Sequence, residues 1–216
     1  MMEDTNFTVA KITHEIRNPL TLINSSLQLI QSMHPEVKDF QFWSQTLEDV
    51  EYLAQLLNDL STYSDQRRFY MCEVDVKEVA LSLKESLKPY ALANDKYFSL
   101  HLPSQLPPIF GNAMKLKQAL LNLLKNAFEA TGKDGYVSMS IRKYLDQIII
   151  RISDDGCGMT PEAMETLFKP FSSHKTNGTG LGLAITEKII KAHYGQIDVS
   201  STLGRGTTFT ITLPHI

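Results

Sequence analysis

Apolar residues recur at Val9, Ile12, Ile16, Leu20, Ile23, Leu27 and Ile30. Steps of three and four make this a near-heptad stripe, the mark of a long amphipathic helix. A second run, Trp43, Leu47, Val50, Leu53, Leu57 and Leu60, repeats the pattern after a break at Met33-His34-Pro35. Two such helices joined by a short loop form an antiparallel hairpin. A lone hairpin cannot cover both stripes, and two hairpins closing a dimeric four-helix bundle are the simplest solution. The stripe by itself fits an ordinary helical dimerisation module equally well.

Near residues 68–75 the pattern changes from purely helical to mixed. It predicts a helix over Val76–Leu87, a strand over Tyr97–Leu102, and a strong helix over Met114–Thr131 with Leu116, Leu120, Leu123, Ala127 and Ala130 on one face. Strands follow over Tyr136–Tyr144 and Gln147–Ser153, joined tightly through Leu145-Asp146 as a hairpin. A helix over Thr179–Tyr194 precedes strands over Gln196–Ser201 and Thr207–Leu213, which join through Gly204-Arg205-Gly206. The expected architecture is an antiparallel or mixed sheet covered by helices on one face, an α/β sandwich. The expected division is residues 1–68 as the hairpin and 73–216 as the mixed domain.

Composition narrows the partners. The 216 residues are 43% hydrophobic and 21% charged with a formal net charge of −3, ordinary for a globular protein and without a field for nucleic acid. Cys72 and Cys157 lie far apart with no CxxC or Cys/His spacing, which argues against a disulfide framework or a zinc site and points to a reducing cytosol. No apolar stretch approaches the roughly 18 residues that span a bilayer. The N-terminal MMEDTNFTVAK is polar and acidic, unlike a signal peptide. Membrane attachment would need segments that this stretch does not contain.

The string His14-Glu15-Ile16-Arg17-Asn18-Pro19-Leu20-Thr21 rides on the first helix. His14 falls away from the middle of the apolar stripe, and an exposed imidazole, largely neutral at pH 7, is a competent nucleophile. Glu15 can accept the imidazole proton as the ring attacks phosphorus. Asn18 sits one turn on, on the same face. Pro19 costs a helix interior roughly 3 kcal/mol and should kink it beside the histidine. A lone surface histidine would explain little; the whole string asks for more.

Gln118, Asn122, Asn126 and Glu129 form a polar stripe opposite leucine and alanine. Asparagine is a poor helix former. Its amide oxygen can ligate Mg²⁺ and its N–H₂ can reach phosphate, although a solvated helix face explains NxxxN as well. Asp154-Asp155-Gly156-Cys157-Gly158 follows a strand directly. A strand-end aspartate can accept from an exocyclic amine, and glycines let backbone pass close to a ring; a tight turn would have the same composition. Gly178-Thr179-Gly180-Leu181-Gly182 runs into a helix start, a phosphate cradle of glycines and helix N–H groups. It is neither a Walker A loop nor a dinucleotide GxGxxG. Upstream, Phe168-Lys169-Pro170-Phe171 and the polar run to Asn177 have the composition of a lid, with Lys175 able to reach phosphate.

Order and spacing together resemble one known family. HEIRNPLT resembles the H-box of a HisKA dimerisation and phosphoacceptor domain, NLLKNAFEA the N-box, DDGCG the G1 box, FKPF the F-box, GTGLGL the G2 box and GRGT the last glycine motif. These mark the histidine kinase branch of the GHKL ATPases, and the resemblance covers roughly residues 5–214. It implies a helical hairpin forming a dimeric bundle, followed by a Bergerat-type α/β sandwich that binds ATP. It implies His14 as phosphoacceptor, Glu15 as adjacent acid/base, and Asn18 as positioning phosphoryl or water. Asn126 would be a Mg²⁺ ligand with Asn122 beside it, and Asp154 would bind the adenine amine between Gly156 and Gly158. Gly180, Leu181 and Gly182 would lie against the phosphates, with Thr207 beside the pocket. Where the family often has Thr-Lys at the lid, this chain has His174-Lys175, so Lys175 carries over less directly. The resemblance further implies a homodimer, transfer to an aspartate of a response-regulator receiver domain, phosphatase activity, and a mobile connection near residues 67–73. The KNAFEA form looks most like sporulation-type or nitrogen-regulation kinases. Other GHKL ATPases use a water-activating glutamate where this chain has Asn122, and they have no place for HEIRNPLT. With no sensor region in this stretch, the chain is expected either to be a piece of a longer kinase or to receive its signal from another protein.

Overall fold

The computed structural model describes residues 2–64, 70–172 and 178–216, with backbone alone for 2–11 and 14. The chain divides into two compact units, Met1–Arg67 with Pro170–Gly182, and Arg68–Lys169 with Leu183–Ile216.

In the first unit, α1 (Met2–Met33) and α2 (Trp43–Ser64) pack as the expected hairpin, joined by a 3₁₀ turn over Pro35–Asp39. Helix α1 runs on through Pro19. Leu20, Val50 and Leu57 are buried between the helices, with Leu27 and Ala54 packed against them. Trp43 Nε1 donates to Gln31 at 2.9 Å and closes the loop end. Other stripe residues are uncovered: Ile12, Ile16, Ile23, Ile30 and Leu53 are each more than 40% exposed.

The second unit contains β1 (Cys72–Val74), α3 (Val76–Ala93), β2 (Tyr97–His101), β3 (Ile109–Gly111), α4 (Ala113–Ala130), β4 (Tyr136–Tyr144), β5 (Gln147–Asp154), the short α5 (Pro161–Glu165), α6 (Gly182–Ala192, its first residue in the first unit), β6 (Gln196–Thr202) and β7 (Gly206–Pro214). The five-stranded sheet has the order β2-β4-β5-β7-β6, with β2 parallel to β4 and the other pairs antiparallel. Strands β1 and β3 form a separate two-stranded ribbon, with β3 beside β7. The sheet is therefore mixed, and α4 lies against β4, β5 and β7.

The register stacks residues in rows on the helix-covered face. One row is Ile141, Ile150, Ile211, Ile197; the next is Met139, Ile152, Phe209, Val199. The side chains from β4, β5 and β7 meet the leucine face of α4, where Leu116, Leu120, Leu123 and Leu124 are fully buried. Burying such residues stabilises by roughly 2 kcal/mol each, the main force holding the layers together.

Several boundaries differ from the pattern. Helix α3 passes the expected Leu87 end and Pro89, because Ala91 beyond it is buried and Asn94 N–H caps the last turn on Tyr90 O. Packing of the last turn outweighs the missing proline N–H. Helix α6 is shorter at both ends than Thr179–Tyr194. Gly180 takes φ +65° before it, and Tyr194 at φ +58° with Gly195 N–H donating to Ile190 O ends it. Strands β1 and β3 and helix α5 carry too few residues to show a period.

His193, unassigned by the sequence, is buried at the end of α6. Asn112 N–H donates to its Nε2 at 2.9 Å, so the ring proton resides on Nδ1, which donates to Ile189 O at 2.8 Å. This ties the end of α6 to the N-cap of α4, and a Cβ on Gly111 would meet the ring at 2.6 Å. His193→Ala is expected to lower unfolding stability by about 2 kcal/mol. Gly111→Ala should also destabilise, and the double variant should lose less than the sum of the two, read by denaturant unfolding as a double-mutant cycle.

Candidate functional site

The third row on the helix-covered face breaks the apolar pattern. It reads Val137, Asp154, Thr207, Ser201 across β4, β5, β7 and β6. A carboxylate that continues an apolar row must be served by N–H donors. Gly156 N–H donates to Asp154 Oδ1 at 2.9 Å and Thr207 N–H donates to the same oxygen at 3.2 Å. Asp154 Oδ2 has no partner among the described residues. It is an acceptor at the end of a strand, the chemistry that an exocyclic amine needs.

Loss of hydration pushes the Asp154 carboxyl above the usual carboxylate range. The bonds from Gly156 and Thr207 oppose this, and the neighbouring Asp155 charge adds to the rise. Asp155 itself is engaged elsewhere, accepting from Tyr136 N–H at 2.8 Å.

Glycine is required where backbone crowds this carboxylate. A Cβ on Gly156 would lie 2.5 Å from Ala130 O, and one on Gly206, at φ +97°, would lie 2.0 Å from Asp154 O. Cys157 N–H donates to Ala130 O at 3.0 Å, so the loop after β5 is docked on the last turn of α4. That turn is held by the Lys96 ammonium, which donates to Phe128 O and, at 3.0 Å, to Thr131 O. A cation there offsets the negative end of the helix dipole.

Asn122 and Asn126 sit one turn apart on α4, both half-buried. Asn122 Nδ2 donates to Thr186 Oγ1 of α6 at 2.9 Å, which leaves Oδ1 as the acceptor. Among the described residues no group of three or more His, Cys, Asp or Glu side chains gathers to hold a metal. Amide oxygens are hard ligands suited to Mg²⁺, an ion that keeps several waters and takes few protein ligands, so the pair fits that role.

In the first unit, Gly180, Leu181 and Gly182 precede and open α6. Phe171 N–H donates to Gly180 O at 3.0 Å, closing the ends of the intervening segment. Thr179 Oγ1 accepts from Leu181 N–H at 3.3 Å and donates to Asp59 of α2 at 2.6 Å. Glu15 and Asn18 are exposed on α1. The side chain of His14 and all of Lys175 lie outside the described residues. A groove lined by Arg17, Thr21, Asn24, Gln28 and Asn58 runs along α1 and α2. Arg17 Nε is buried there without a partner among the described residues.

The Asp154 shift has two opposite consequences. The folded chain holds this proton more tightly than the unfolded chain. Its contribution to stability is therefore favourable at low pH and is lost as pH rises through the raised value. An amine-accepting role requires the ionised form and weakens as pH falls through that same value. Asp154→Asn keeps an acceptor for both N–H donors but turns Nδ2 toward the amine. It should leave neutral-pH stability unchanged or higher while weakening ATP binding by roughly 100-fold, read by calorimetry beside thermal unfolding.

Residues 6–68 match the His Kinase A (phospho-acceptor) domain, and residues 111–216 match the histidine kinase-, DNA gyrase B- and HSP90-like ATPase domain. Sporulation kinase B of Bacillus subtilis is 36% identical over 220 residues, covering 95% of this chain and 48% of its own. The signal transduction histidine-protein kinase AtoS of Escherichia coli is 32% identical over 207 residues, 95% of this chain and 34% of its own. The chain thus spans about half or less of the curated relatives it matches. Among solved structures, the Acinetobacter baumannii histidine kinase AdeS is 28% identical with a TM-score of 0.68, over 94% of this chain and 98% of that one. Full-length ShkA, solved with AMPPNP, shares the fold at a TM-score of 0.79 and 24% identity, over 96% of this chain and 45% of that one. With a phospho-acceptor match on the helical hairpin and an ATPase match on the mixed sheet, the chain belongs to the two-component histidine kinases.

Proposed function

We propose that this chain is an ATP-dependent protein-histidine kinase that phosphorylates its own His14, passes the phosphoryl group to an aspartate of a response-regulator receiver domain, and also dephosphorylates that partner. Residues 1–68 carry the acceptor and residues 73–216 the nucleotide. The observation that carries the reading is Asp154, with one oxygen fixed by two backbone N–H groups and the other without a partner among the described residues. That is the acceptor that selects an adenine amine over a carbonyl; the kinase reading is supported by a relative whose name calls it a histidine-protein kinase.

In the proposed reaction the unprotonated nitrogen of the His14 imidazole attacks the γ-phosphorus of ATP. The bond from phosphorus to the bridging oxygen breaks, ADP leaves, and the proton on the other ring nitrogen passes to Glu15. Mg²⁺, when bound, neutralises charge between the phosphates. Asn126 and Asn122 offer it amide oxygens. Gly180 and Gly182 let the backbone at the start of α6 come close to the phosphate oxygens, with Leu181 between them and Lys175 as a further cation. Gly156 and Gly158 form the wall beside the adenine, and Thr207 orients Asp154. Asn18, one turn from His14, positions the phosphoryl group or a water.

Two features of the hairpin support the partners. The uncovered residues Ile12, Ile16, Ile23 and Ile30 on α1, with Leu53 on α2, are the face for a second copy of this chain. The polar groove from Arg17 to Gln28 continues the helical positions of His14 and Asn18 and suits a receiver domain. No helix among the described residues is long and apolar enough to cross a membrane.

Incubation with γ-labelled ATP and Mg²⁺ tests the reading. Wild type should acquire acid-labile, alkali-stable label, and His14→Gln should acquire none while binding ATP within about twofold of wild type. Label on both proteins would place the acceptor elsewhere. Label on neither, despite ATP binding, would contradict kinase activity.

A further inference from the structure

We infer that Ser201, at the end of β6, is a positioning residue for the nucleotide: its hydroxyl anchors the far end of the loop Gly156–Met159 to the row that carries Asp154. The inference rests on the nucleotide reading above.

Three observations lead to it. First, Ser201 continues two apolar positions, Ile197 and Val199, on the same face of β6, and it sits on the rung of Thr207 and Asp154. A polar side chain that ends an apolar row calls for a reason. Second, the hydroxyl is fully used. Met159 N–H donates to Ser201 Oγ at 2.9 Å, Ser201 Oγ donates to Gly206 O at 3.1 Å, and Thr207 Oγ1 lies 2.9 Å away. A hydroxyl has one proton and two lone pairs. With its proton on Gly206 O, both lone pairs accept, one from Met159 and the other from the Thr207 hydroxyl. Third, the loop is clamped along its length. Asp154 Oδ1 takes Gly156 N–H at its start. Cys157 uses its N–H on Ala130 O and receives Gly204 N–H at 2.7 Å in its middle. Gly158, at φ +65°, passes so close to β6 that a Cβ would lie 2.1 Å from Thr202 O. Ser201 is the side chain that completes the clamp at Met159.

The loop thus carries one edge of the proposed adenine wall, and Asp154 the other. The Ser201 hydroxyl ties Met159, the far end of that loop, to the rung of Thr207. Without the Ser201 hydroxyl, Met159 N–H loses its acceptor and Thr207 Oγ1 loses its partner. The loop can then move relative to the Asp154 carboxylate, and a base held between them is gripped less well.

The test compares wild type, Ser201→Ala and Ser201→Thr as the full chain. Binding of Mg²⁺ with a non-hydrolysable ATP analogue and with its guanine counterpart is read by calorimetry, and thermal unfolding is read without nucleotide. Ser201→Ala should weaken analogue binding by roughly fivefold, the weight of one backbone hydrogen bond. It should raise KM for ATP by a similar factor with kcat unchanged, and it should narrow the preference for adenine over guanine. Ser201→Thr, which keeps the hydroxyl, should restore binding to within about twofold of wild type. Unchanged affinity in Ser201→Ala, whatever happens to its melting temperature, would make Ser201 a structural staple and overturn the inference. Equal loss in Ser201→Thr would assign the effect to size rather than the hydroxyl and overturn it too. A wild type that fails to bind the analogue would bring down the nucleotide reading itself, a distinguishable result.

Discussion

A carboxylate placed in the inward row of a sheet loses part of its water, and the backbone at this end of the second unit is arranged around that fact. Asp154 remains an acceptor because Gly156 and Thr207 turn their N–H groups onto one of its oxygens. Those N–H groups are where they are because Gly156 lies against the last turn of α4 and Gly206 against the backbone of Asp154 itself, contacts that no side chain would permit. Removing the glycines or the end of α4 would leave a half-buried charge without donors, a costly state. The proposed adenine site and the fold therefore share residues. The sheet's first two rows are apolar and supply stability, whereas the third gives that up for a polar rung.

Two further ties join the helices beside this rung. Asn122 on α4 donates to Thr186 on α6, and His193 at the end of α6 accepts from Asn112 at the start of α4. The two helices are thus fastened at two levels by polar groups inside an otherwise leucine- and isoleucine-rich layer. A half-satisfied network there would be worse than an apolar one. Helix α6 begins at the glycines proposed to meet phosphate, and α4 carries the asparagines proposed to meet the metal.

Much of this was legible in the chain. The steps of three and four through Ile12–Ile30 and Trp43–Leu60 imposed the hairpin. The alternation in Tyr136–Tyr144 and Gln147–Asp154 imposed the central strands, because a period is a direct consequence of which face is buried. Asp154 reads in the sequence as a strand-end carboxylate two residues before Gly156, a composition that a tight turn shares. What was not legible depends on contacts distant in sequence. Nothing local marks His193 as an acceptor for Asn112, 81 residues away, or Ser201 as one for Met159, 42 residues away. Three-residue strands such as Ile109–Gly111 are too short to carry a period. Helix α6 starts at Gly182, later than the Thr179 that the pattern predicts. The left-handed Gly180 and its carbonyl bond to Phe171 then delay the first turn.

The rung of Asp154, with the loop after it, is the proposed nucleotide wall. Titration of the ¹⁵N-labelled chain with Mg²⁺ and a non-hydrolysable ATP analogue is its test. The amide signals of Gly156, Cys157, Met159 and Thr207 should shift together and saturably, with those of Leu20, Leu27 and Val50 in the hairpin unchanged. Saturable shifts confined to the groove residues of α1 and α2, with the Asp154 loop silent, would contradict it.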